Sequence, residues 1–409
     1  MSFQQGLSGL NAASKNLEVI GNNVANSGTV GFKQSQAQFA DVYASSLTGA
    51  GSSQIGIGTK VSQVAQQFTQ GNITASNNPL DIAINGGGFF RLSHNGTVSY
   101  SRNGQFQLDK SGFVVNANGS RLTGYTTNAS GVLSTGAPAD LFINTSDIPP
   151  KLTTTVKAVL NLDSGSAVPA SAFDMTDPTT YNNATSVSVY DSLGNAHTLQ
   201  TFYVKTSANN WDVYAANDGV AIGYTPPAAA VPVGSVGFNS SGTLVSGSPI
   251  AIPVPVTTGA GTPFTVNVDY TGTSQYGSSF SVNSLKQDGY TSGKLNGFST
   301  SADGTIVGRY TNGQSATLGQ VVLANFSNPN GLQPLGDNVW AETAASGSSL
   351  VGTPGSGPLG VLQSSATEDS NVDLTAELVN MITAQRNYQA NAQTIKTQDQ
   401  ILQTLVNLR

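Results

Sequence analysis

The sequence predicts a multidomain chain of mixed α and β structure, with coiled-coil α-helices at its two ends packed together and a mainly antiparallel β middle. Three observations carry this expectation. Apolar residues recur at three-four spacing at both termini. Turn dipeptides punctuate the middle between short runs rich in Val, Thr, Phe and Tyr. A length of 409 residues is enough for two or three cores of ordinary size.

At the N-terminus the apolar seam reads Phe3, Leu7, Leu10, Ser14, Leu17, Gly21, Val24, with Gln, Asn, Ser and Lys on its flanks. From about 26 to 70 the chain is rich in Gln, Ser and Gly with little periodicity, and reads as an extended connector. Six dipeptides then suggest hairpins: Asn95-Gly96, Asn103-Gly104, Asn118-Gly119, Asp303-Gly304, Asn312-Gly313 and Asn330-Gly331. A seventh is expected where Ser186 to Tyr190 and His197 to Lys205 flank the turn Asp191 to Asn195. Residues 219–268 hold no charged side chain and many Pro and Gly, which suggests loops and short strands of an outlying β-domain. The C-terminal seam is longer: Leu374, Leu378, Met381, Gln385, Tyr388, Ala392, Ile395, Asp399, Leu402, Val406. Asp373 and Glu377 fall at the start of this helix, where the macrodipole favours anions.

Composition narrows the function. Asp, Glu, Lys and Arg make up 9% of the chain, against about 25% in an average globular protein. The net charge is -6 and no basic stripe exists to neutralise phosphates, so nucleic acid is not an expected partner. Weak long-range repulsion between copies favours dense self-packing. Cysteine is absent, which excludes disulfides and thiolate chemistry. No run of about 20 apolar residues is present, so membrane insertion is not expected. Residues 1–25 lack a basic n-region, so a location outside the cell would need export without a cleaved signal peptide. These features alone leave a cytoplasmic location open.

Candidate chemistry is sparse, and no catalytic residue, cofactor or metal site is expected. His94 and His197 lie about a hundred residues apart, too far to suggest clustered ligands or a catalytic base with its orienting partner. Asn85-Gly86-Gly87-Gly88 lacks the following Lys-Ser/Thr of a phosphate loop, so a tight turn or close backbone packing is the expectation. Glu368, Asp369, Asp373 and Glu377 are the densest carboxylates but lack calcium-loop spacing; charge placement at a helix start is the simpler account.

The two seams carry the sharper expectation. A single pair of amphipathic helices is marginal, because ordering each residue costs about 1.5 kcal/mol. Side-by-side packing of many copies could bury every face. The self-assembly residues are then Phe3, Leu7, Leu10, Leu17, Val24, Leu374, Leu378, Met381, Tyr388, Ile395, Leu402 and Val406. The alternative is that both helices pack only on their own subunit's core.

Particular residues also resemble a known family. The run Asn22-Asn23-Val24-Ala25-Asn26-Ser27-Gly28-Thr29-Val30-Gly31-Phe32-Lys33 is similar to the N-terminal motif of flagellar rod, hook and hook-associated proteins. Asn371-Val372-Asp373-Leu374, Asn387-Tyr388-Gln389-Ala390-Asn391 and onward to Leu408 resemble their C-terminal motif. In the middle, Asp191 to His197, Tyr203-Val204-Lys205, Ser278 to Asn283 and Gln287 to Gly293 resemble bacterial flagellar hook proteins in particular.

The resemblance implies a nested arrangement. An inner helical domain would comprise 1–28 and 370–409, a connector 29–70 and 362–369, an inner β-domain 71–146 and 286–361, and an outer inserted β-domain 147–285. It implies a homopolymer, a flexible helical tube outside the cell that couples motor torque from rod to filament. The partners implied are the distal rod, a hook-cap protein, a hook-filament junction protein and the type III export apparatus. Another axial protein, such as a distal-rod or hook-associated member, is the nearer alternative. A secreted β-rich adhesin or glycan-processing enzyme is the remote one.

Overall fold

A computed structural model describes residues 2–42, 56–128, 131–223 and 230–407. The chain divides into two compact units. The first comprises Met1–Thr145, Gly297–Arg309 and Ser315–Arg409; the second comprises Ser146–Asn296 and Tyr310–Gln314.

The first unit begins with α1 (Ser2–Ala25) and closes with α2 (Leu374–Asn407). Asp373 is the N-cap of α2, its Oδ1 accepting hydrogen bonds from the backbone N–H groups of Thr375 and Ala376 at 2.9 and 3.1 Å. The two helices pack antiparallel. Gly6 faces Ile395, Gly9 faces Asn391, and Asn23 donates to Glu377.

Residues 29–70 are more than a connector. Two strands, β1 (Ser35–Val42) and β2 (Gly58–Gln66), pair antiparallel there. This ribbon runs along α1. Gln5 Nε2 donates to the carbonyl of Gly56 at 2.6 Å at one end, and Asn23 exchanges two hydrogen bonds with the backbone of Ser35 at the other. Gln and Ser side chains give no alternating apolar signal, so a ribbon held by backbone pairing and edge polar contacts leaves little trace in the pattern.

The ribbon leads into β3 (Ile73–Ala75) and β4 (Ile82–Asn85). Each is closed by the other end of the chain: β3 pairs with Ala366–Glu368, and β4 with Val361–Ser364. The rest of this unit is a mainly antiparallel sheet around an aromatic core. Phe89, Tyr100, Phe326 and Trp340 are buried there, and Phe68 meets Phe89 and Trp340 edge-on at centroid distances of 5.4 and 5.6 Å.

Asn95 and Gly96 both take positive φ (50° and 83°) and join paired strands Phe89–His94 and Thr97–Ser101, a tight two-residue hairpin. Asn118-Gly119, Asp303-Gly304 and Asn312-Gly313 also link neighbouring strands. Two of the expected hairpins are not hairpins. Asn330-Gly331 lies in a short 3-10 turn, Pro329–Gly331. Gly104 accepts a hydrogen bond from Ile82 N–H, and a Cβ on it would collide with the Ile82 carbonyl, so glycine there permits backbone approach.

The second unit is a β-sandwich. A six-stranded antiparallel sheet faces a five-stranded one across a single core containing Leu160, Val189, Leu199, Tyr203, Trp211, Ile252, Val266 and Tyr270. Asn183–Tyr190 pairs with Ala196–Ser207, so the hairpin around Asp191 is present. Residues 219–268 contribute regular strands. Ile250–Val254 and Phe264–Asp269 alternate buried and exposed residues, the period of a half-buried sheet. The long strand Thr155–Asp163 departs from the antiparallel rule by pairing in parallel with Phe264–Asp269 and Ser274–Tyr276.

Candidate functional site

The surface built by the two chain ends gathers most of the expected site residues. Helix packing here uses small residues. A Cβ on Gly9 would lie 2.6 Å from Asn391 Oδ1 and one on Gly6 would lie 3.1 Å from Ile395 Cγ1. Ala13, Ile20 and Asn23 of α1 are buried, as are Glu377 and Ala384 of α2. The α1 contact line (6, 9, 13, 16, 20, 23) is the expected apolar seam moved back by one residue. One residue is a rotation of roughly 100° about a helix of 3.6 residues per turn. The seam itself therefore lies to one side of the intrachain contact.

That phase decides exposure. Phe3, Leu7, Leu374, Leu378, Tyr388, Leu402 and Val406 are exposed, Leu402 at 54% and Val406 at 73%. Leu10, Leu17, Val24, Met381 and Ile395 are half-buried. The structure adds Val379, Ile382 and Ile401 to the exposed apolar surface of α2, and Phe39 and Val64 on the ribbon. A wider apolar window along α2 would have found the first three, since each adjoins a seam position in sequence. Between α1, β1 and α2 lies a groove of about 580 Å³, walled mainly by polar groups including Asn16, Asn23, Gln34, Asn380, Thr383 and Asn387.

Below this surface a charged cluster fixes both termini to the β-structure. Glu368 is 1% exposed and accepts from Lys33 Nζ at 2.6 Å, Arg102 Nε at 2.9 Å and the Gly71 N–H at 2.9 Å. Lys33 also donates to the carbonyl of Thr69, and Arg102 to the carbonyls of Gly86 and Gly88. Burial holds the Lys33 ammonium below its ordinary pKa, and the Arg102 guanidinium pushes it further down; Glu368 offsets part of this. Glu377 is buried too, accepting from Gln34 Nε2 at 2.7 Å and Asn23 Nδ2 at 3.3 Å. Of the four carboxylates, Asp373 caps α2 and Glu377 lies in its first turn, as expected of helix-start charges, while Glu368 serves the buried cluster. Asn371 ties the same region together, accepting from Gln34 N–H and donating to Gln67 and Thr69.

The remaining candidates have structural partners. The Asn85 to Gly88 turn packs backbone against backbone, a Cβ on Gly86 meeting Gly360 Cα at 2.9 Å. His197 lies between two aspartates of the second unit. Among the described residues no helix is long and apolar enough to cross a membrane. Nor does any group of three or more His, Cys, Asp or Glu among them stand ready to hold a metal ion.

Four family models match successive parts of the chain. A flagella basal body rod protein model matches residues 3–33 and a flagellar hook protein FlgE/F/G D1 domain model matches 83–189. A flagellar basal body protein FlaE D2 domain model matches 161–290, and a flagellar basal body rod FlgEFG protein C-terminal model matches 363–408. The flagellar hook protein FlgE of Salmonella typhimurium is 47% identical over the full length of both chains. That of Escherichia coli is 46% identical over the same extent, and that of Borreliella burgdorferi 32% over all of this chain and 99% of its own. The crystal structure of Helicobacter pylori flagellar hook protein FlgE2 covers 71% of this chain and 99% of its own at a TM-score of 0.52 and 14% identity, a likeness of fold. Full-length identity at this level, with terminal helices packed together around a β-rich middle, places the chain in the flagellar hook protein family.

Proposed function

We propose that this chain is the structural subunit of a bacterial flagellar hook, and that it polymerises through its terminal helices into a flexible tube carrying torque from rod to filament. The observation that carries the reading is the apolar surface of α2 that α1 leaves open: Leu374, Leu378, Tyr388, Leu402 and Val406 of its seam are exposed. Each large side chain of that seam gains about 2 kcal/mol when fully buried, so neighbouring copies supply the missing stabilisation.

In this reading residues 1–28 and 370–409 line the channel. The segments 29–70 and 362–369 link them to an inner β-domain of 71–146 and 286–361, and 147–285 faces outward. The chain leaves the cell through the type III export apparatus without a cleaved signal peptide. It meets the distal rod at one end of the tube, and a hook-cap protein and then a hook-filament junction protein at the other. It catalyses nothing; its work is mechanical. Bending requires each protofilament to lengthen and shorten once per turn, and surfaces of neutral Ser, Thr, Asn and Gln lack the ion pairs that would hold one register.

Leu378→Glu and Leu402→Glu place charge on the seam. Both variants should keep the β-units folded by circular dichroism and form no tubes by negative-stain electron microscopy. Normal tubes from either would refute the role assigned to the seam.

A further inference from the structure

Assembly through the termini makes no use of the buried histidine of the second unit. His197 is the second residue of the strand Ala196–Ser207 and is 7% exposed. Its Nδ1 lies 2.7 Å from Asp218 Oδ2, and its Nε2 3.4 Å from Asp191 Oδ2. The Asp191 side chain is fully buried and organises its own turn, accepting from the N–H groups of Leu193 and Asn195 and from Asn195 Nδ2, each at 2.9 Å. It also accepts from the Thr258 hydroxyl, which belongs to the segment before the strand Phe264–Asp269. Asp218 stands at a hairpin tip with φ of 50°, and its Oδ1 accepts from the Thr198 N–H at 2.8 Å.

A neutral imidazole carries one N–H. It can donate to one of these carboxylates while turning a ring lone pair toward the other. The imidazolium donates to both. We propose that His197 is a protonation-controlled latch: in its charged form it ties the Asp191 turn, and through it Thr258, to the Asp218 hairpin, and deprotonation releases one of the two.

The facing strand Asn183–Tyr190 sets Val189 opposite His197, and the strand Asn210–Asn217 contributes the neutral amide Asn217. Asn217 Nδ2 is already engaged by Asp218 and the carbonyl of Pro255, while its Oδ1 is buried and finds no donor among the described residues. The ionised groups acting on the ring are Asp218 and Asp191. Burial by itself lowers the imidazole pKa, but the hydrogen bonds and charges of the two aspartates outweigh it and hold the pKa above 6.5. The unfolded chain releases this proton near pH 6.5. The latch therefore adds its full stability below that pH, loses it as pH rises through the higher folded value, and adds nothing beyond.

The test is a nitrogen-15 NMR titration of the full chain, with His94→Gln identifying which imidazole is His197. Both ring nitrogens of His197 should be protonated at pH 6, with a midpoint above 6.5. The melting temperature of the second unit should fall between pH 6 and 9 in the native chain and stay flat in His197→Gln. A neutral ring at pH 6, a midpoint below 6.5, or an equal fall in the variant would overturn the latch. Should His197→Gln fail to fold, Asp218→Asn at the half-exposed end of the cluster decides. It should lower the His197 midpoint, and an unchanged midpoint rejects the proposal.

Discussion

Glu368 ties the C-terminal part of the first unit to segments near the N-terminus. Its carboxylate receives a lysine, an arginine and a backbone N–H from three separated segments, and its own carbonyl accepts from Gly31 N–H at 2.8 Å. Glu368→Ala would leave Lys33 and Arg102 buried as two like charges with no counterion. Breaking a buried pair in this way costs about 3–5 kcal/mol. Chemical denaturation should show that loss in the first unit only, with the second unit's transition unmoved; a wild-type midpoint would mean the cluster contributes nothing. Nothing local in the sequence reports this cluster. Lys33 and Glu368 are 335 residues apart, and a short run of carboxylates before a helix reads most simply as helix-dipole compensation. Asp373 and Glu377 do stand at the start of α2; Glu368 does not. Asn23, Lys33 and Asn371 stood out through resemblance, and the structure supplies the reason: they bond across the chain to Glu377, Glu368 and Gln67.

For the helices, the period was legible and the phase was not. Three-four spacing found α1 and α2 because an apolar stripe at that period survives many polar interruptions. It did not mark the α1 face of the intrachain contact, because that face is made by Gly6, Gly9, Ala13 and Asn residues, which carry almost no hydrophobic signal. Close backbone approach is invisible to hydropathy. The glycines of α1 separate the two cases. Among the described residues nothing stands within 4 Å of a Cβ built on Gly21, whereas one on Gly9 meets Asn391 at 2.6 Å. Gly21→Ala should therefore stabilise α1 of the dilute subunit by up to about 1 kcal/mol through helix propensity. Gly9→Leu should force the helices apart, at about 1–3 kcal/mol for overpacking. Far-UV circular dichroism melts measure both, and the reverse order would contradict the assigned packing. The β1–β2 ribbon was missed for a related reason: its faces are too polar to alternate, and its register is set by pairing and by docking along α1.

On the scale of the whole molecule, the β middle was readable from its turns. Asn95-Gly96 and the Asp191 turn join strands as expected, because positive φ and side-chain capping are local demands that particular residues meet. The closure of the first unit was less accessible. It depends on β3 and β4 finding strands near the other end of the chain, and long-range register leaves no mark on a short window. What the pattern did announce was surplus apolar surface at the termini, and the structure leaves much of it uncovered in the single chain.

Because the sequence contains no cysteine, Leu402→Cys gives a unique thiol on that uncovered surface, at a residue 54% exposed. Its rate of reaction with a maleimide reagent, compared between dilute subunits and assembled tubes, asks directly whether copies cover the seam. Fast labelling of the subunit, strong protection in the tube and failure of pre-labelled subunits to assemble are the expected results. Equal labelling in both states, or tubes formed readily from labelled subunits, would contradict burial of the seam between copies.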